Sequence, residues 1–126
     1  MKVIDTNLLI RLITNDIPEQ RQKAQKIIDE SKAGEILIPD VVLTELFFIL
    51  ESRVQKYTLP RKEICVALGD ILTSPQLFLT KEGRAALLLA FDNPKLDFTD
   101  CLLAIYADHK KDQVLTFDKG LLKILG

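Results

Sequence analysis

Residues 35–50 of the chain read EILIPDVVLTELFFIL, a short strand-forming run followed at once by a helix-forming one. Glu35–Ile38 has the β-branched and leucine content of a strand. Asp40 is a preferred N-cap residue and predicts that a helix begins there. The apolar residues of this helix recur at helical spacing and are predicted to face inward: Val41, Leu43, Leu46, Phe47 and Leu50. A strand that passes directly into a helix is typical of the crossover between two parallel strands.

The rest of the chain repeats this alternation. Short apolar runs bounded by polar residues predict three more strands, at Lys2–Asp5, Gln76–Thr80 and Gln113–Phe117. Helices are predicted between the strands at Leu8–Thr14, from Asp16 as N-cap to Lys32, from Pro60 to Ile71, at Lys81–Phe91 and at Phe98–Lys110. The predicted fold is α/β, a three-layer α/β/α sandwich around a central parallel sheet of four strands. Leu121–Leu125 fits either a last helical turn or a fifth strand.

Length and composition indicate one domain and exclude several classes of protein. A chain of 126 residues can bury its own core, and we expect a single domain over residues 1–126. With 17 basic and 18 acidic residues, it is not a polycation that holds nucleic acid by bulk charge. Cys65 and Cys101 form no Cys-x-x-Cys pair, so no disulfide framework or zinc site is expected. We expect a cytoplasmic protein, because no apolar run approaches the roughly 18 residues of a membrane span.

Five acidic residues are predicted to meet at one edge of the sheet. Asp5 ends the first predicted strand and Asp118 follows the fourth, so both lie at the carboxyl edge, where open parallel sheets bind ligands. The helix after the second strand also begins at this edge, which brings Glu45 close to it. Asp97 and Asp100 lie three residues apart in the first turn of a later helix and share one of its faces.

Such a cluster predicts a site for a hard divalent cation. Five neighbouring carboxylates repel one another unless a cation compensates their charge. Carboxylate oxygens suit Mg²⁺ or Mn²⁺, whereas zinc and copper lack their preferred ligands in a chain whose single histidine is His109. A cation held in this way supports phosphodiester hydrolysis, with RNA as the expected substrate.

Each acid also has a structural interpretation. Asp5 is a candidate helix cap, and Asp118 a candidate turn residue with Lys119-Gly120. Asp97 with Asp100 resembles an ordinary helix start, and Glu45 fits a solvent-facing helix position. Two further polar residues are candidates to hydrogen-bond the ligands or water at the cation: Asn7 and Thr116. Basic residues near the acids in sequence are candidates to hold RNA phosphates, or a solvated surface: Arg11, Lys81, Arg84, Lys95, Lys119 and Lys123.

Four segments of the chain resemble the PIN-domain nucleases, and among them the VapC-type toxins of toxin–antitoxin pairs. The resemblance rests on VIDTNLLI at residues 3–10, IP followed by VLTEL in residues 38–46, DFTDCLLA at residues 97–104 and VLTFD at residues 114–118. These segments occur in the family's order and cover almost the whole chain. One Asp-Thr-Asn alone is weak evidence, but the four together are specific.

The resemblance implies a Mg²⁺- or Mn²⁺-dependent endoribonuclease. Four residues match the family's acidic quartet: Asp5, Glu45, Asp100 and Asp118. Asp97 matches an additional acid of many members, and Thr116 a Ser or Thr position beside the last acid. Such toxins typically form homodimers, act on a structured RNA and are silenced by a small antitoxin protein. Relatives commonly continue into a last strand, which leaves the fifth strand open here.

Other functions fit less well. A haloacid-dehalogenase-type phosphatase needs a second Asp two residues after the first, where this chain has Asn7. A response-regulator receiver domain carries its phosphoacceptor Asp after the third strand, which here ends Phe78-Leu79-Thr80. The remaining alternative is a catalytically silent PIN-like module that binds RNA or protein.

Overall fold

The computed structural model of the protein describes residues 1–52, 57–109 and 113–126. Within these ranges the chain forms three strands, β1 (Lys2–Val3), β2 (Ile36–Ile38) and β3 (Leu77–Leu79). The helices of the same ranges are α1 (Thr6–Thr14), α2 (Pro18–Asp29), α3 (Asp40–Glu51), α4 (Arg61–Ile71), α5 (Lys81–Asp92), α6 (Phe98–His109) and α7 (Lys119–Leu125). None of these helices is long and apolar enough to cross a membrane.

The strands form one parallel sheet in the order β1-β2-β3. Lys2 pairs with Ile36, and Ile36 pairs in turn with Leu77. The predicted α/β class with a parallel sheet is therefore confirmed, and the carboxyl ends of all three strands lie at one edge. Ile36 and Ile38 of β2 are buried, as expected for the middle strand of a covered sheet.

The predicted fourth strand at Gln113–Phe117 is wrong, because the part of the chain that the structure describes contains only three strands. Leu115 and Phe117 expose almost their whole side chains to solvent, whereas a central strand buries its apolar residues on both faces. The alternative left open for Leu121–Leu125 is resolved as helix α7, so these residues form no fifth strand. Leu121 is fully buried and fixes α7 to the rest of the molecule.

The predicted N-cap Asp16 does not cap α2. The helix begins at Pro18 after Ile17, and its N-cap makes no side-chain hydrogen bond. Asp16 instead accepts hydrogen bonds from Arg11 Nη1 at 3.1 Å, Thr14 Oγ1 at 2.8 Å and Tyr57 Oη at 2.6 Å. Three side-chain donors thus occupy the carboxylate, and the fixed φ of Pro18 suits the first helical turn without a cap. The helix also ends earlier than the predicted Lys32, at Asp29.

Helix α3 begins one residue earlier than a cap at Asp40 predicted. Pro39 occupies the N-cap position, and Asp40 is the first helical residue. Leu43, Leu46, Phe47 and Leu50 are buried as predicted, but Val41 is exposed. Val41 precedes Leu43 by two residues, which on a helix turns it about 200° away from that residue and out of the core.

A buried arginine joins three helices, and no sequence pattern indicated it. Arg61, the first residue of α4, donates from Nε and Nη2 to the carboxylate of Glu51 on α3, at 2.9 and 3.1 Å. Its Nη1 donates to the backbone carbonyls of Ala90 and Asn93, at 3.1 and 3.3 Å. The guanidinium also lies 5.3 Å from the ring centre of Phe47. Arg61 therefore binds the end of α3 to the end of α5.

The close approach of α5 to α3 requires a glycine. A Cβ atom on Gly83 would lie 2.8 Å from Asp40 Oδ1 and 3.1 Å from Thr80 Oγ1, whereas one on Gly69 of α4 would meet nothing within 4 Å. We expect Gly83→Ala to lower the free energy of unfolding by about 1–3 kcal/mol through overpacking. Gly69→Ala should instead raise it by about 0.5–1 kcal/mol, because alanine costs less backbone entropy in a helix. Urea unfolding of both variants measures the difference, and an equal gain in stability from the two would contradict the close contact at Gly83.

Candidate metal centre

Asp5 lies just beyond the carboxyl end of β1 and caps the next helix. Its extended backbone, with φ −93° and ψ 169°, places it at the N-cap of α1. One carboxylate oxygen, Oδ1, accepts a hydrogen bond from the backbone N–H of Leu8 at 3.0 Å. The side chain is exposed, and no hydrogen bond of the described residues uses its second oxygen, Oδ2. The capping role foreseen as an alternative is thus real, and it leaves one oxygen of Asp5 free to accept a further ligand.

Glu45 lines the same small cavity as Asp5. It is exposed on the second turn of α3, which begins directly after β2. A cavity of about 220 Å³ is lined by both acids together with Asn7 and Val41. The two carboxylates therefore open onto the same space at the carboxyl edge of the sheet, and the amide of Asn7 adjoins it.

Asp97 and Asp100 occupy the start of α6. Asp97 precedes the helix and its backbone carbonyl accepts from Cys101 N at 3.1 Å, while no described hydrogen bond uses its carboxylate. Asp97 and Glu45 both line a second cavity, of about 460 Å³. Asp100 is half-buried, and burial raises the pKa of its carboxyl group, with the negative charges of Asp118 and Asp97 adding to the effect. Asp97 and Asp118 therefore both lie close enough to Asp100 to disfavour its negative charge.

Asp118 lies close to Asp100, although the fourth strand predicted to carry it is absent among the described residues. It is the N-cap residue of α7, and its Oδ2 accepts from the backbone N–H of Leu121 at 2.7 Å. Its own backbone N–H donates to Thr116 Oγ1 at 2.9 Å. Thr116 thus orients the backbone beside the last acid, and its hydroxyl contacts no described carboxylate.

Shared cavities connect Asp5 with Glu45 and Glu45 with Asp97, and the charges of Asp97 and Asp118 act on Asp100. Among the described residues, no group of three or more His, Cys, Asp or Glu side chains is close enough to hold a metal ion as it stands. The donor chemistry nevertheless fits Mg²⁺ or Mn²⁺, since every candidate ligand is a carboxylate and the second oxygen of Asp5 is free. Side-chain rotation would have to bring the carboxylates together around an ion.

The basic candidates lie in different surroundings. Arg11 is engaged away from the acids, with Nε donating to Gln20 Oε1 at 2.7 Å and Nη1 donating to Asp16 Oδ1 at 3.1 Å. The remaining candidates are exposed at the first turn of α5, before α6 and along α7: Lys81, Arg84, Lys95, Lys119 and Lys123. Lys95 and Lys123 line a common cavity of about 610 Å³ beside Gly120. These two lysines therefore adjoin the helix that Asp118 caps.

Sequence reasoning missed a polar cluster at the same sheet edge. Asp40 follows β2, and its two carboxylate oxygens accept from Thr80 Oγ1 at 2.5 Å and from Tyr106 Oη at 3.0 Å. Thr80 follows β3 and its hydroxyl also accepts from Gly83 N at 2.9 Å. Only their positions in the sequence could have indicated these residues, because Asp40 and Thr80 follow β2 and β3 as Asp5 follows β1.

Comparison with known proteins identifies the family of the chain, although none of the curated proteins matches it. The model of the PIN domain, a family whose members are generally nucleases, matches residues 2–125. The match includes all five acids and all three strands. The chain therefore belongs to the PIN domain family.

Proposed function

We propose that the protein is a Mg²⁺- or Mn²⁺-dependent endoribonuclease that hydrolyses RNA phosphodiester bonds. The observation that carries the proposal is the cavity that Asp5 and Glu45 share at the carboxyl edge of the sheet, in a chain that belongs to a family of nucleases. The raised pKa of Asp100, caused by burial and by the charges of Asp118 and Asp97, supports the same conclusion. Perturbed carboxyl groups of this kind concentrate at functional sites.

The residues have distinct roles in this proposal. Asp5, Asp100 and Asp118 would hold the cation together with Glu45, and Asp97 would be an additional ligand or remain outside the coordination sphere. Held there, a divalent ion would offset the charge of the phosphodiester and make a water molecule more acidic. The backbone N–H groups of Leu8 and Leu121 orient Asp5 and Asp118 through the caps of α1 and α7. Lys95, Lys119 and Lys123 hold flanking phosphates as point charges.

The biological setting is proposed from the resemblance to VapC-type toxins. In that setting the chain is the toxin of a toxin–antitoxin pair, acts in the cytoplasm as a homodimer and is silenced by a small antitoxin protein. Its substrate there is a structured RNA. Co-expression with the product of the neighbouring open reading frame tests the pairing, and growth arrest by the chain alone that the neighbour relieves is the expected result.

The nuclease activity is tested with purified protein and RNA. We expect cleavage in Mn²⁺ or Mg²⁺ and none in EDTA, because the substrate's charge cannot be offset without the cation. Asp5→Asn, purified in parallel, should leave the RNA intact. Equal loss of RNA in all samples would indicate a contaminating nuclease and contradict the proposal. Retention of RNA without cleavage in any metal would favour the catalytically silent module instead.

A further inference from the structure

Helices α3 and α6 pack against each other in antiparallel directions and are joined at two points. At one point Tyr106 of α6 donates its hydroxyl to Asp40, the first residue of α3, at 3.0 Å. At the other point the rings of Phe47 and Phe98 stack, with centres 4.6 Å apart and planes 7° from parallel. The pairing is antiparallel because the earlier residue of α3 contacts the later residue of α6. The two contacts together fix how far one helix lies along the other.

Two of the acids lie between these contacts along the helix axes and at the same level, each on a different face of its helix from the stacked ring. Glu45 is two residues before Phe47, and Asp100 is two residues after Phe98. With a rise of 1.5 Å per residue, each acid lies roughly 3 Å along its helix from the stacked rings, in the direction of Asp40 and Tyr106. Sliding either helix by one residue would displace Glu45 and Asp100 relative to each other by roughly the same 1.5 Å.

Both contacts are themselves held rigidly. Asp40 accepts a second hydrogen bond from Thr80, whose hydroxyl caps α5 at Gly83. Burial raises the pKa of the Tyr106 phenol, and the hydrogen bond and charge of Asp40 add to this, so the hydroxyl keeps its proton and stays a donor. At the other contact, the Arg61 guanidinium lies over the Phe47 ring. Neither contact involves a side chain that swings freely in solvent.

We propose that the hydrogen bond from Tyr106 to Asp40 is a positioning element of the metal centre, which sets the separation of the Glu45 and Asp100 carboxylates by fixing α3 against α6. The inference rests on the proposed function, because it assigns these two acids to a common cation. Asp40 and Tyr106 are positioning residues in it and bind no metal. In this role the polar cluster of Asp40, Thr80 and Tyr106 at the sheet edge contributes to the metal centre without binding the cation.

The test compares two tyrosines that make the same kind of bond. Tyr57 donates its hydroxyl to Asp16 at 2.6 Å, and neither residue is one of the five acids, so Tyr57→Phe is a matched control for Tyr106→Phe. The binding of Mn²⁺ alone to each folded variant is measured by calorimetry, without RNA. Partners that hydrogen-bond a ligand directly change metal affinity by 10- to 100-fold, so an indirect effect of about 3- to 10-fold on the Kd is expected for Tyr106→Phe. No change is expected for Tyr57→Phe, although both variants should lose comparable resistance to urea.

A second variant and a kinetic readout complete the test. Asp40→Ala removes the acceptor of the same bond, so its effect on the Kd should not add to that of Tyr106→Phe in the double variant. On RNA, Tyr106→Phe should lower kcat while KM stays near the wild-type value. An unchanged Mn²⁺ Kd in Tyr106→Phe, or an equal change in Tyr57→Phe, would overturn the inference while the nuclease stands. Wild-type protein that binds no Mn²⁺ would overturn the proposed function and the inference together.

Discussion

Asp100→Asn is expected to reduce metal-dependent RNA cleavage by at least about 100-fold, the scale on which losing one charge-stabilising group at a reacting centre is measured. Asparagine keeps the size of the side chain but removes the negative charge that a divalent cation requires of its ligand. Initial rates of cleavage at saturating Mn²⁺ measure the effect. The control is Asp108→Asn, the same change on an exposed position of the same helix, which should leave the rate unchanged.

The same substitution should have the opposite effect on stability without metal. The pKa of Asp100 is raised in the folded protein, so ionisation of this group disfavours the folded state. The penalty is absent at pH values below the unfolded pKa, near 3.8, and grows as the pH rises through the higher folded pKa. In EDTA at neutral pH, Asp100→Asn should therefore unfold at a higher urea concentration than the wild type. Added Mn²⁺ should reverse the order by stabilising only the wild type. A variant less stable than the wild type in EDTA would contradict a folded state that burial and like charges make unfavourable for the ionised Asp100.

Arg61→Met is expected to lower the free energy of unfolding by about 2–4 kcal/mol, which is the largest loss of stability that we predict for one substitution. Methionine fills much of the same volume but donates no hydrogen bond. The carbonyls of Ala90 and Asn93 would lose their donor, and the Glu51 carboxylate its partner. The Glu51 side chain is 28% exposed, so water can partly solvate it, which keeps the loss below that of a fully buried pair.

Urea unfolding measures this loss against Arg84→Met as a control. Arg84 is exposed on α5, and its replacement should change the free energy of unfolding by less than about 0.5 kcal/mol. Similar small changes in both variants would show that the Arg61 contacts contribute little. A loss confined to Arg61→Met would establish that the start of α4 fixes the ends of α3 and α5.

The sequence predicted the parts of the fold that depend on local pattern. The parallel strands, the helix Phe98 to His109 and the inward face of α3 follow from periodicity and turn residues, which act over a few residues. The fourth strand was wrong because a short apolar run such as Gln113–Phe117 does not ensure a neighbouring strand to pair with. Asp16 was misassigned because its donors come partly from Tyr57, forty-one residues away, and no local rule could anticipate that.

The proximity of some of the acids was predictable from the order of the strands and helices, whereas their role as a metal site stays a prediction. Strand ends converge in a parallel sheet, so the grouping of Asp5 with Glu45 and the coupling of Asp100 to Asp97 and Asp118 follow from element order. Asp118 joined the others through the cap of α7, although the strand expected to carry it is absent among the described residues. Asp40 and Arg61 escaped prediction because their partners lie on distant segments. Contacts of that kind depend on the packed structure and leave no local pattern.

The most direct test of the metal centre is diffraction from crystals soaked in Mn²⁺, recorded where manganese scatters anomalously. We expect an anomalous peak at the carboxyl edge of the sheet with carboxylate oxygens of Asp5, Asp100 and Asp118 as ligands, at roughly the 2.0–2.2 Å typical of small hard divalent cations. The carboxylates should have rotated toward the ion relative to their present positions. Full occupancy of Mn²⁺ elsewhere, with no peak among these acids at millimolar Mn²⁺, would contradict the proposal that they hold the catalytic cation.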